Sequence, residues 1–203
     1  MIPVQSKNEP ADFAAKVRTP GQQFLRVRPR PTRQDFKGHE YWRECRDQLH
    51  SVYREVCAYS SLWVPTSYSV DHYRPKMRYP NLAYEWSNYR LALDFVNSNK
   101  GDSEVVLDPF VVQLGWFILD KASLWVHPEP TLATVIRNRV QSSINILKLN
   151  HPRLVSTRFQ ILRGYIDGKY RLDVVEEKYP FIAEEIKRQN IKTTAQLLAE
   201  NAP

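Results

Sequence analysis

Cysteine is almost absent from this chain, with two residues in 203, Cys45 and Cys57. Two thiols are too few for a disulfide framework, which points to a reducing, cytoplasmic setting. Long apolar runs are missing as well. No stretch of about 18 apolar residues occurs, so neither a transmembrane helix nor a membrane partner is expected. The opening MIPVQSKNEPADFAAKV lacks the apolar centre of a secretory signal. Internal repeats and low-complexity segments are also lacking. What is present is a 42% hydrophobic composition, enough for one medium-sized domain. The formal net charge of +7 favours a polyanionic partner without naming one.

Positive charge is densest in RVRPRPTRQDFK, residues 26–37, which holds Arg26, Arg28, Arg30 and Arg33. This run reads either as a proline-stiffened solvated arm or as a phosphate-contacting one. Residues 1–38 as a whole show no sustained period and read as an irregular basic arm. Beyond Gly38, the residues Tyr41, Trp42, Cys45, Leu49, Val52, Tyr53 and Val56 recur at steps of three and four, the stripe of an amphipathic helix. LWV and YSV flank Pro65-Thr66-Ser67 and predict a β-hairpin. Residues 74–86, with Pro75, Pro80 and Asn81, read as an ordered loop. Ser87 is a candidate N-cap for a helix running to about Lys100, with Gly101 just past its end. Two apolar runs around Asp120-Lys121 predict a second hairpin. Residues 130–148, 151–166, 175–189 and 192–200 read as helices, with breaks at Pro152, Gly168 and Pro180. The expected class is α+β, one domain that is mainly helical outside a small β element.

Chemistry concentrates in SVDHYRPKMRYPNLAYEWSNYRLALDFVNSNKGD, residues 69–102. Asp71 and His72 are adjacent at the end of a predicted strand, where neighbouring side chains point to opposite faces. They serve one site only if the strand ends or bulges there, and Pro75 favours an ending. On one continuous helix Asn88 and Asn97 would fall on opposite faces, so they are expected to have different jobs. The Asp71 carboxylate and the Asn97 amide carbonyl suit a hard cation such as Mg²⁺ or Mn²⁺. A neutral His72 suits a general base near neutral pH. Asn99 rivals Asn97 for the metal, and Arg74 and Lys76 are candidates for phosphate contact. His39, His50, His127 and His151 lie near element ends and are assigned no role. Trp42, Trp63, Trp86, Trp116 and Trp125 are expected in the core.

In the wording VDHYRPK, YEWSNYRLA and N..KGD, residues 57–102 resemble the HNH endonucleases, whose active site is the ββα-metal motif. The wording is most similar to the HNH nucleases associated with retrons and other antiphage systems. The resemblance implies an HNH core over 39–110, including the preceding helix, with a hairpin and helical region over 111–203 packed on it. It implies His72 as general base, Asp71 and Asn97 as metal ligands, and Asn88 in the catalytic set as the residue that holds the loop. Lys100 matches a lysine frequent in the family and joins Arg74 and Lys76 as candidate nucleic-acid contacts. The implied activity is metal-dependent hydrolysis of DNA by the effector of a prokaryotic antiphage system. Its implied partner is an ATPase or a reverse transcriptase with its noncoding RNA. Action on RNA, or a degenerate noncatalytic binding module, are the alternatives. Many members clamp a structural zinc with two CxxC pairs, but here the corresponding residues are Cys57-Ala-Tyr-Ser60 and Leu93-Asp-Phe-Val96. A tetrahedral site needs four good ligands, so structural zinc is not expected, and apolar packing of Cys57, Leu93 and Val96 is expected in its place.

Overall fold

The computed structural model describes residues 1–192. Where the sequence suggested one domain, contacts divide the chain into two compact units. A hairpin unit gathers Gln5–Cys57 and Val64–Glu104, and a helical unit gathers Met1–Val4, Ala58–Trp63 and the described residues from Val105. Helices and two small antiparallel sheets together make an α+β protein.

In the hairpin unit the N-terminal arm is more ordered than its irregular sequence suggests. A π-helical turn at Ala14–Arg18 leads into α1, Thr19–Val27. Pro20 sits in the first turn of α1, where its missing N–H costs no helical bond. Gly21 lets the helix approach the ring of Tyr84, since a Cβ there would stand 2.1 Å from Tyr84 Cγ. Phe24 of α1 continues into an aromatic cluster with Phe36, Trp42 and Tyr84. The amphipathic stretch after residue 38 forms a 3₁₀ turn, Tyr41–Cys45, followed by α2, Arg46–Val52. It stops short of its predicted length because Arg54 and Glu55 take left-handed φ angles of 53° and 62°.

Strand β1, Tyr68–His72, pairs antiparallel with β2, Tyr89–Leu93, in a register running from Tyr68 opposite Leu93 to His72 opposite Tyr89. Helix α3, Asp94–Lys100, follows directly and packs on both strands. It ends as expected at Gly101, whose φ of 50° suits a residue without Cβ. Two sequence expectations fail here. LWV does not pair with YSV, because Leu62 and Trp63 belong to the helical unit and Val64 N–H donates to the Glu55 carbonyl at 2.8 Å. Ser87 does not open a helix, since Trp86–Asn88 is a 3₁₀ turn and YRLAL is strand. A short run buried at almost every position carries no readable period, and its pairing with β1 decides its conformation.

The helical unit opens with the predicted second hairpin, β3, Phe117–Leu119, against β4, Val126–Pro128. Asp120 closes its turn by accepting from the Ser123 N–H and hydroxyl. Helices α4, Thr134–Ile146, α5, Pro152–Ile166, α6, Leu172–Lys178, and α7, Pro180–Gln189, follow. Pro152 and Pro180 begin helices rather than merely break them, so the stretch predicted over 175–189 is two helices. The helix expected over 192–200 falls almost entirely outside the described residues. Trp42 and Trp86 are buried as expected, but Trp63 and Trp125 are exposed, the former under the Lys178 ammonium at 5.3 Å. No helix among the described residues is long and apolar enough to cross a membrane.

Candidate functional site

Alternation along β1 sorts the site residues onto two faces. Ser69 and Asp71 face α3, where they meet Asn97 and Lys100, one helical turn apart. Asn97 Nδ2 donates to Ser69 Oγ at 2.9 Å, and Lys100 Nζ donates to Asp71 Oδ1 at 2.9 Å. These two contacts are rungs between strand and helix. The upper rung is a sealed ion pair, with side-chain exposures of 0% for Lys100 and 3% for Asp71. Asn97 Oδ1 accepts nothing among the described residues.

Val70 and His72 face the other way. The His72 ring lies edge-on to Trp42 and Tyr89, with centroids 4.7 and 5.2 Å away. Strand β1 does end at His72, as Pro75 suggested, but it stays regular to the end. Asp71 and His72 therefore point to opposite faces, and Lys100 links them by donating also to the His72 carbonyl at 3.0 Å. His72 Nε2 lies 2.9 Å from the carbonyl oxygen of Ala83, which also accepts from the Tyr89 hydroxyl at 2.8 Å. A carbonyl oxygen only accepts, so Nε2 must carry the proton and Nδ1 is left bare. Nδ1 has no partner among the described residues, and His72 as a whole is buried at 7% exposure.

Burial, with the positive charges of Lys76 and Lys100, lowers the His72 pKa from its ordinary 6.5 to about 3. The ring is thus neutral throughout the working range. This has a measurable consequence for stability. As pH falls below 6.5 the unfolded chain takes up a proton that folded His72 refuses. The His72 contribution is therefore complete above pH 6.5 and declines toward pH 3. The expected decline is about 1.4 kcal/mol per pH unit across that window. Denaturant titrations at pH 7, 5.5 and 4.5 on wild type and His72→Gln test it, with the variant expected to show the shallower dependence.

Asn88 braces the loop between the strands. Its Oδ1 accepts from Arg74 N–H at 2.8 Å, and its Nδ2 donates to the carbonyls of Arg74 and Leu82 at 3.0 and 3.1 Å. The backbone adds Tyr73 N–H to the Asn88 carbonyl at 2.9 Å. At 4% exposure Asn88 has no face for substrate, so its job is positional. It acts from the turn before β2 while Asn97 acts from α3, with a strand between them rather than one helix. Asn88→Ala is expected to cost about 1–3 kcal/mol, because three side-chain hydrogen bonds go at a buried position, among them the Arg74 N–H bond to its Oδ1. Thermal melting measures it.

The cationic candidates diverge. Lys100, expected to meet nucleic acid, is instead buried against Asp71. Arg74 is half exposed, pairs with Glu104 at 3.4 Å and lies over the rings of Tyr73 and Tyr79. Lys76 sits over Trp42 and Phe36 at 5.2 and 5.9 Å, and burial lowers its pKa. The basic arm comes to the same unit, since Arg33 reaches Asp102 at 3.8 Å with 85% of its side chain exposed. Three contributors escaped the sequence reading. Trp42 and Tyr89 cage His72. Arg90, opposite Asp71 in the register, is buried, donates to the carbonyls of Ser87 and Tyr89 and lies 5.2 Å from the Tyr73 ring. The signal for Tyr89 and Arg90 was their place opposite the Asp-His pair, legible only once the correct strand partner is known.

The donor set could offer a hard divalent cation one carboxylate, that of Asp71, now held by Lys100, and one amide carbonyl, Asn97 Oδ1, which accepts nothing among the described residues. No group of three or more His, Cys, Asp or Glu side chains suited to a metal occurs among the described residues. An ion on Asp71 would thus need the sealed Lys100 pair to open before water and substrate could complete its shell. Cys57, buried and in no disulfide, accepts from Leu93 N–H with its sulfur at 3.3 Å, and Val96 is fully buried. In comparisons with known proteins, no family model and no curated protein matches the chain.

Proposed function

We propose that the chain is a metal-dependent nuclease of the HNH type that hydrolyses phosphodiester bonds in DNA, with β1, β2 and α3 as its ββα-metal element. The observation that carries this reading is the fixed tautomer of His72. A neutral imidazole with one nitrogen anchored to a backbone carbonyl and the other without a partner among the described residues suits a group that takes a proton from water. A substrate phosphate brings negative charge, which raises the low His72 pKa toward a useful range. Asp71 and Asn97, on the other face of β1 from His72, would hold Mg²⁺ or Mn²⁺, so the reading requires a substrate phosphate that reaches both faces at the end of the strand. When bound, such an ion stabilises charge on the phosphate and the leaving oxygen. Asn88 keeps the loop after His72 in place. Arg33, Arg74 and the basic arm offer charge to the backbone of a polyanion. The antiphage role, the cytoplasmic setting and a gating ATPase or reverse transcriptase with its RNA rest on the wording of residues 57–102 alone.

The Lys100–Asp71 pair favours a second reading, a noncatalytic nucleic-acid module whose metal position is filled by an ammonium. One assay separates the readings. Purified protein is incubated with supercoiled plasmid or structured RNA in Mg²⁺, Mn²⁺ or EDTA, beside His72→Ala. Metal-dependent DNA cleavage lost in the variant supports the proposal, and cleavage of RNA alone moves the substrate. Binding without cleavage of either under any ion would sink the catalytic reading.

A further inference from the structure

We propose that Lys100 is the resident counter-cation of the metal site: its ammonium holds the Asp71 carboxylate while no divalent ion is bound and leaves that oxygen when one binds. This rests on the reading of Asp71 and Asn97 as metal ligands. Lysine is almost never fully buried without a partner, and Lys100 Nζ has two, Asp71 Oδ1 at 2.9 Å and the His72 carbonyl at 3.0 Å, with the Tyr73 ring centroid at 5.9 Å. A magnesium ion needs its carboxylate oxygen at about 2.0–2.1 Å. An ammonium already hydrogen-bonded to that oxygen leaves no room for the ion in the same direction, and two cations in a dry site repel strongly. Oδ1 cannot hold both in that direction, and repulsion between the two cations opposes an ion on Oδ2 as well, so the ion and Nζ compete for the Asp71 carboxylate.

The surroundings give the displaced ammonium somewhere to stay. Its long stem can swing off Asp71 while Nζ keeps the His72 carbonyl and the face of Tyr73. Asn97, one turn earlier on α3, keeps its carbonyl oxygen without a partner among the described residues. The exchange thus removes one hydrogen bond and leaves the strand–helix packing in place. Its consequence is a weak intrinsic affinity for the metal, with an apo site that needs no ion to stay folded. An anionic substrate, drawing both cations, favours the exchanged arrangement.

The test compares wild type with Lys100→Met, reading Mn²⁺ binding by the loss of the free-ion EPR signal and melting in EDTA and in Mn²⁺. Lys100→Met should melt lower than wild type in EDTA, bind Mn²⁺ at least about tenfold tighter, and gain more in melting temperature from the ion. If the methionine variant does not fold, Lys100→Gln can donate to both oxygens without the charge and should show the same tightening. Equal or weaker Mn²⁺ binding by the folded variant overturns the inference while leaving the metal site intact. If neither protein binds Mn²⁺ and Asp71→Asn changes nothing, the metal reading itself falls, and the inference with it.

Discussion

Replacing His72 with alanine is expected to cut phosphodiester cleavage at least about a hundredfold, the lower bound of what a positioned general base contributes, while DNA affinity stays within a few fold. The structure sharpens the expectation by assigning the working atom. Nε2 is committed to the Ala83 carbonyl, which on the proposed reading leaves Nδ1 as the atom that would act. His72→Gln then becomes the more telling variant. A glutamine amide can still donate to Ala83 and fill the space between Trp42 and Tyr89, but it has no nitrogen lone pair to accept a proton. It should fold as wild type and be as inactive as alanine. Tyr89→Phe removes the second donor to Ala83 and should lower activity less, since the His72 bond remains. Near-normal cleavage by a folded, contaminant-free His72→Gln would remove His72 from the chemistry.

How much of this was legible in the sequence depends on which force set each element. Helices with a proline at the first turn or a glycine past the end were readable, because the signal is local. Examples are α5 after His151 and the stop of α3 at Gly101. The hairpin β3–β4 was readable because Asp120 and Ser123 close its turn by themselves. The partner of β1 was not. YRLAL lies well down the chain from YSVDH and looks helical from composition, and only a long-range pairing makes it strand. That single error also put Asn88 and Asn97 on one helix. Their choice as candidates did not depend on that error, because it rested on residue type and order rather than on predicted conformation. Lys100 was misjudged for another reason. Sequence marks a lysine as charged and hence exposed, while its burial comes from Asp71 across the strand–helix contact.

Asn97→Ala should abolish cleavage or raise the Mg²⁺ requirement steeply, whereas Asn99→Ala should be mild. Both are half-buried on α3, and sequence alone made them rivals. The structure separates them. Asn97 turns toward β1, bonds Ser69 Oγ with its amide nitrogen and leaves its carbonyl oxygen beside the rung that holds Asp71. Asn99 turns away and spends its amide on the Phe95 carbonyl of its own helix, at 2.7 Å. Two residues along a helix amount to a rotation of about 200°, so both cannot reach one ion. Asn97→Asp keeps an oxygen ligand and should retain activity in Mn²⁺ even where its bond to Ser69 is lost. Asn97→Ala removes the ligand and one rung together, so part of its effect is structural. Thermal melting beside the metal titration apportions the two, because a lost rung lowers the melting temperature while a lost ligand raises the ion requirement. An inactive Asn99→Ala beside an active Asn97→Ala would mean that the metal is held from the other side of α3.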